Sequence, residues 1–174
     1  MRLSFLAMLA IIIATTLFSC KNVAPYAIDE KPKLAVNKNL IGIWKMKEDT
    51  DVHNFFVIER KSDNIYALTY MNKGGSNRRF ENCNGFFSKV DTSLFLNVAY
   101  FETQPIFEGY FFLKVDYLDP KGWDMTLRMV NDTTMRTLPN SKSVKDLMAK
   151  NINNPSFFDK PVHFHKILPL MYCN

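Results

Sequence analysis

HNFFVIERKSDNIYALTYM (residues 53–71) holds two apolar–polar alternations separated by a turn. In the first, Phe55 and Val57 stand opposite Phe56 and Ile58. In the second, Tyr66, Leu68 and Tyr70 share one face, with Ala67 and Thr69 on the other. Side chains of an extended chain point alternately to opposite faces, so a period of two reads as strand. Lys61-Ser62-Asp63-Asn64 between the halves is a polar turn cluster, and the whole stretch predicts a β-hairpin.

The same pattern extends in both directions. Upstream, Ile41, Ile43 and Lys45 oppose Gly42, Trp44 and Met46. Downstream, Asn72 to Asn77 with Gly74-Gly75 is a turn, and Arg78 to Val90 predicts one strand broken at Asn84-Gly85. Asp91-Thr92-Ser93 turns into a strand over 94–101, which Gln104-Pro105 ends. Glu108 to Leu118 follows, then the turn Asp119-Pro120-Lys121-Gly122. From 123 to 130, Trp123, Met125, Leu127 and Met129 point one way and Asp124, Thr126 and Arg128 the other. Short strands joined by turns, with no alternating helices, predict an antiparallel barrel or sandwich. One helix is expected near the C-terminus, where Val144, Leu147, Met148 and Ile152 form a single apolar stripe. Ser143 with Asp146 fits a weak capping box, and Asn140 or Ser141 would cap a slightly longer helix. Asn153-Asn154-Pro155 stops it, and 162–168 predicts a last strand. The fold class is therefore mainly β with one C-terminal α-helix.

The chain has 174 residues, 47% hydrophobic and 22% charged, which suits one globular domain and excludes extensive disorder. Its formal net charge of +5 is dispersed, with Arg78-Arg79 the only Arg pair. Nucleic-acid binding needs a basic stripe and a supporting motif, and neither is present. The apolar run from Leu3 to Ala14 after Arg2 is too short to span a bilayer comfortably and has the length of a signal-peptide core. Leu17-Phe18-Ser19-Cys20 resembles a bacterial lipobox. That resemblance implies a diacylglycerol thioether on Cys20 and cleavage before it. Stable anchoring needs two membrane signals, which two or three acyl chains supply. No Asp follows the Cys to resemble an inner-membrane retention signal, and Lys21-Asn22-Val23 lacks an acidic run resembling a surface-export signal, so an outer-membrane position facing the periplasm is expected. The predicted organisation is a signal peptide over 1–19, a lipidated Cys and Pro/Lys-rich segment over 20–38 that is either a tether or a disordered strap over the domain, and a domain over 39–174. Cys83 and Cys173 then remain as an even pair in an oxidising compartment. They form either one disulfide, worth about 4 kcal/mol for so long a loop, or a buried thiol and a separate terminal one.

Gly42-x-Trp44 at the start of the first strand resembles the first-strand motif of the lipocalin and fatty-acid-binding superfamily. The resemblance covers roughly 39–168, including the late helix and the strand after it. It implies an up-and-down β-barrel in which Gly42 permits close backbone approach at the closed end and Trp44 plugs that end. It also implies an Arg packed on the Trp, with Arg128 and Arg136 as candidates, and a tail cysteine, Cys173, tied to a barrel strand at Cys83. The second lipocalin motif, Thr-Asp-Tyr before the Arg, is missing. The nearest likeness is to lipocalin-like bacterial lipoproteins.

About eight strands enclose room for one small ligand or for side chains alone. The expected pocket draws on Phe55, Tyr66, Tyr70, Leu96, Tyr110, Phe112, Met125 and Leu127, and would take a small apolar or amphipathic ligand. The competing expectation is a filled core in an envelope interaction module that binds a protein or glycan. No nucleophile elbow, zinc-protease or phosphate-loop motif occurs. His163 and His165 share a strand face, with His53 as a distant third, and Asp49 and Asp51 flank Thr50. None of these amounts to a metal or acid–base site, so neither catalysis nor a cofactor is expected.

Overall fold

The structure is a computed structural model describing residues 23–49, 55–71, 83–101 and 108–168. Eight antiparallel strands follow one another in chain order: β1 (Gly42–Met46), β2 (Phe55–Arg60), β3 (Tyr66–Met71), β4 (Cys83–Val90), β5 (Ser93–Phe101), β6 (Glu108–Leu118), β7 (Asp124–Met129) and β8 (Val162–Leu168). Each pairs with the next, and β8 returns to β1, closing the sheet into a barrel. Closure leaves no free edge to template pairing with another chain. The helix α1 (Ser141–Asn151) lies between β7 and β8, and the Asn140 side chain caps it by accepting from the Ser143 N–H at 2.8 Å.

Register decides which residues face inward. Trp44 lies opposite Phe56 and Lys166, Phe56 opposite Tyr70, and Leu68 opposite Cys83. Leu96 lies opposite Phe87 and Leu113, and Val115 opposite Leu127. Partners in an antiparallel ladder share a face, so this set forms the inner lining. Trp44, Ile58, Tyr66, Leu68, Cys83, Phe87, Leu96, Val98, Met125 and Leu127 make one buried cluster. The break expected at Asn84-Gly85 does not occur. Gly85 pairs with both Tyr66 and Val98, and its missing Cβ leaves room for Leu68 and Leu96 on the two flanking strands.

Several outward residues of β4–β6, Phe95 and Phe112 among them, are also apolar, because they carry a second core. Val144 and Met148 of α1 pack there with Phe95, Phe112, Val130, Met135, Phe157 and Phe158. Ala24 and Ile28 complete this cluster, so the N-terminal segment is not a solvated tether. It is a strap bound to the barrel wall. Ala24 and Tyr110 exchange two backbone hydrogen bonds of 2.8 Å. The Ile28 N–H donates to buried Asn97 Oδ1 at 2.8 Å, while Asn97 Nδ2 donates to Phe86 O and Ser88 Oγ. Asp29 pairs with Lys145 of α1 at 2.9 Å. Burial pushes the Asp29 carboxyl up, but hydrogen bonds from Ser88 and Lys145 outweigh it and hold the group below its ordinary value. Further on, the Val36 N–H reaches Asp63 O at 2.8 Å and the Asn37 N–H reaches the Tyr66 hydroxyl at 2.6 Å.

Candidate functional site

One end of the barrel is sealed. Trp44 is fully buried and its indole N–H donates to Leu40 O at 2.8 Å. Gly42 has φ +151°, and a Cβ there would lie 2.7 Å from Leu168 O, so only glycine lets β1 and β8 meet this closely. The cation on Trp44 is Lys166, 4.8 Å from the ring centroid and only 5% exposed. Its ammonium donates to Asn39 O at 2.6 Å. Burial pulls the Lys166 pKa below its ordinary value. Neither expected arginine fills this role. Arg128 points outward, bonded to Asp116 and lying 5.1 Å over Phe158. Arg136 is exposed in the 3-10 turn Thr133–Thr137. The reason is register: β8 is the neighbour of β1 across the closing seam, and Lys166 faces inward beside Trp44.

Above the seal the barrel is hollow. A cavity of about 520 Å³ is lined by Trp44, Met46, Phe55, Phe56, Leu68, Tyr70, Cys83, Val98, Phe111, Leu113, Leu127, Met129, Val162 and Phe164, with Asp159 and Lys160 as its charged members. Below it, Leu40, Ile58, Tyr66, Phe87, Leu96, Val115, Leu118 and Met125 pack down to a space of about 10 Å³, too small to matter for a ligand. Cavities of a few hundred Å³ with mostly apolar walls and a few polar groups are the usual form of small-molecule sites.

The eight expected lining residues divide three ways. Phe55, Tyr70 and Leu127 border the cavity. Tyr66, Leu96 and Met125 also face inward, but they belong to the packed floor. Tyr110 and Phe112 are a correction: they point outward into the second core, under the strap and α1. Every residue from Tyr110 to Leu113 is apolar, and both faces of this strand are covered, so alternation carries no polar mark of the outer side. Phe111 and Leu113 line the cavity instead. Their ladder partners Val98 and Leu96, next to outward-facing Asn97, are the signal that would have placed them.

Cys83 faces the cavity, Cys173 lies outside the described residues, and no disulfide occurs among those described. Cys20 is likewise outside them, as are His53 and Asp51. His163 and His165 face outward on β8. His163 bonds Thr126 Oγ1 at 3.0 Å, and His165 bonds Asp124 at 3.1 Å while stacking on Trp123. Hydrogen bonds from Lys47 and His165 hold the Asp124 carboxyl below its ordinary value. Among the described residues, no three His, Cys, Asp or Glu side chains converge on a metal-sized point.

The arrangement is a calyx with a cation–π seal, an apolar interior and a polar group at the rim. It can enclose an apolar body while leaving a polar end near water. No known protein family, curated protein or solved structure matches the chain.

Proposed function

We propose that this chain is a lipocalin-like lipoprotein, held at the outer membrane through Cys20, that binds a small apolar or amphipathic molecule without transforming it. The cavity of about 520 Å³ carries the reading. A barrel acting only as an interaction module gains nothing from a void, because each unfilled volume forfeits dispersion contacts and costs stability. Lys160 and Asp159 beside an apolar wall favour an elongated molecule with one polar end. The lipobox-like Leu17-Phe18-Ser19-Cys20 supports the anchor.

The test is titration of the purified protein with a dansyl-labelled fatty acid. Leu113→Trp narrows the void from a half-buried wall position. It is expected to weaken probe uptake by about tenfold or more, equivalent to ~1.4 kcal/mol, with the circular dichroism unchanged. Equal uptake by wild type and variant, or none by wild type, would turn the assignment toward a protein- or glycan-binding module.

A further inference from the structure

The strap determines which end of the barrel can meet a membrane. Within β6, Phe111 and Leu113 line the cavity while Val115 and Leu118 lie at the floor, so Tyr110 stands on the mouth side. Ala24 is clamped to Tyr110 there by two hydrogen bonds of 2.8 Å. Gly109 makes the seat possible, since a Cβ on it would come within 2.9 Å of Ala24 O and overlap Val23. From this clamp the chain runs toward the floor, through Asn97 and then Asp63 and Tyr66. Followed backward, the described chain therefore ends on the mouth side, at Val23.

Cys20 precedes Ala24 by four residues. Four extended residues reach about 14 Å at most. The eight steps from Tyr110 to Leu118 along β6 already span about 26 Å. Cys20 itself can therefore lie at the rim of the cavity but not at the sealed floor.

We propose that the end of the barrel opposite the seal is the membrane-facing surface, and that the ligand is an acyl-chain lipid drawn from the adjoining leaflet rather than a solute from the aqueous phase. This rests on the anchored, ligand-binding reading above. The apolar wall accepts the chain, and Lys160 stands at the rim where an anionic headgroup would remain. The sealed end, with Asp63, Asp119 and Lys121, faces away from the bilayer.

The native tryptophans report on this directly. Trp44 is inside the seal and Trp123, 44% exposed, lies beside it, so both mark the end held away from lipid. Lys160→Trp and, independently, Met129→Trp mark the mouth. The full chain is produced with its acyl groups, verified by mass, and placed in phosphatidylethanolamine–phosphatidylglycerol vesicles carrying a headgroup-nitroxide lipid. Either variant's added emission is expected to be quenched by a fraction at least about threefold greater than the wild type's, because anchoring holds the mouth at the interface. Equal quenching, or stronger quenching of the wild type, overturns the orientation while leaving the anchor intact. A chain without acyl mass, or Cys20→Ala protein that partitions to vesicles as wild type does, overturns the anchor and the orientation together.

Discussion

Phe111 and Phe112 are adjacent in β6 and point to opposite sides of the barrel wall, so truncating each separates two properties. Phe112 is fully buried in the outer core with Phe95, Val144 and Met148. Phe112→Ala removes a packed ring and leaves a hole, which costs about 3–5 kcal/mol. For a chain of this size each kcal/mol lowers the melting midpoint by roughly 2–4 °C, so a fall of about 10–15 °C is expected. The ring has no surface on the cavity, so the affinity for a fatty-acid probe should change by less than about twofold in the protein that remains folded. Phe111 is only half-buried and borders the void. Its truncation loses fewer protein contacts, and the melting midpoint should fall by a few degrees only. The ligand loses part of a phenyl wall, about 1–2 kcal/mol of apolar contact, so affinity should drop roughly 5- to 30-fold. The assay is probe titration paired with thermal unfolding on the same samples. If Phe112→Ala abolished uptake with little thermal change, or Phe111→Ala left uptake unchanged, the assignment of faces on β6 would be wrong.

Two further outcomes follow from the polar groups that fix the strap and the seal. Asn97→Ala leaves the buried Ile28 N–H and Phe86 carbonyl without their side-chain partner, and should cost about 2–3 kcal/mol in urea unfolding; it should also expose the segment around Ala27 to limited proteolysis before the barrel itself is cut. Lys166 binds its proton less tightly folded than unfolded. The unfolded chain therefore holds more protons between the folded value and about 10.5, and stability contributed by this residue must rise with pH across that window. The stability of wild type minus that of Lys166→Met should therefore increase as pH is raised toward about 10.5 in parallel unfolding titrations; a difference that stays constant or decreases would show that the ammonium is not desolvated.

Strand alternation was readable wherever one face was polar. On β3 and β7 the polar residues marked the outer side, and Tyr66, Leu68, Tyr70, Met125 and Leu127 all face inward. The same alternation on β7 sets Arg128 opposite Leu127. Its outward position was therefore already in the pattern, against its candidacy as the cation on Trp44. Lys166 was hidden for another reason: only barrel closure brings the last strand beside the first. On β6 the apolar run 110–113 had no polar mark, because the second core under α1 makes the outer wall as apolar as the inner. The Pro and Lys content of the strap does not separate a solvated tether from a segment laid on the domain. Its attachment depends on just a few groups, the backbone of Ala24, the amide of Asn97 and the ion pair of Asp29, none of which leaves a periodic trace. The empty interior is a property of summed side-chain volumes, which no local pattern reports.

The closing seam has a consequence for how the molecule is made. Every hairpin from β2 to β7 joins neighbours in sequence, but Lys166 meets Asn39 across 127 positions. A polypeptide emerging N-terminus first finishes all its local pairings before its final strand is available. Until then, β1 and β7 each carry an open edge, Trp44 has no ammonium above it, and the floor is unmade. The slow, long-range step is thus also the last one topologically allowed. A product cut short before Val162 would be an unsealed, adhesive ribbon rather than a smaller working container.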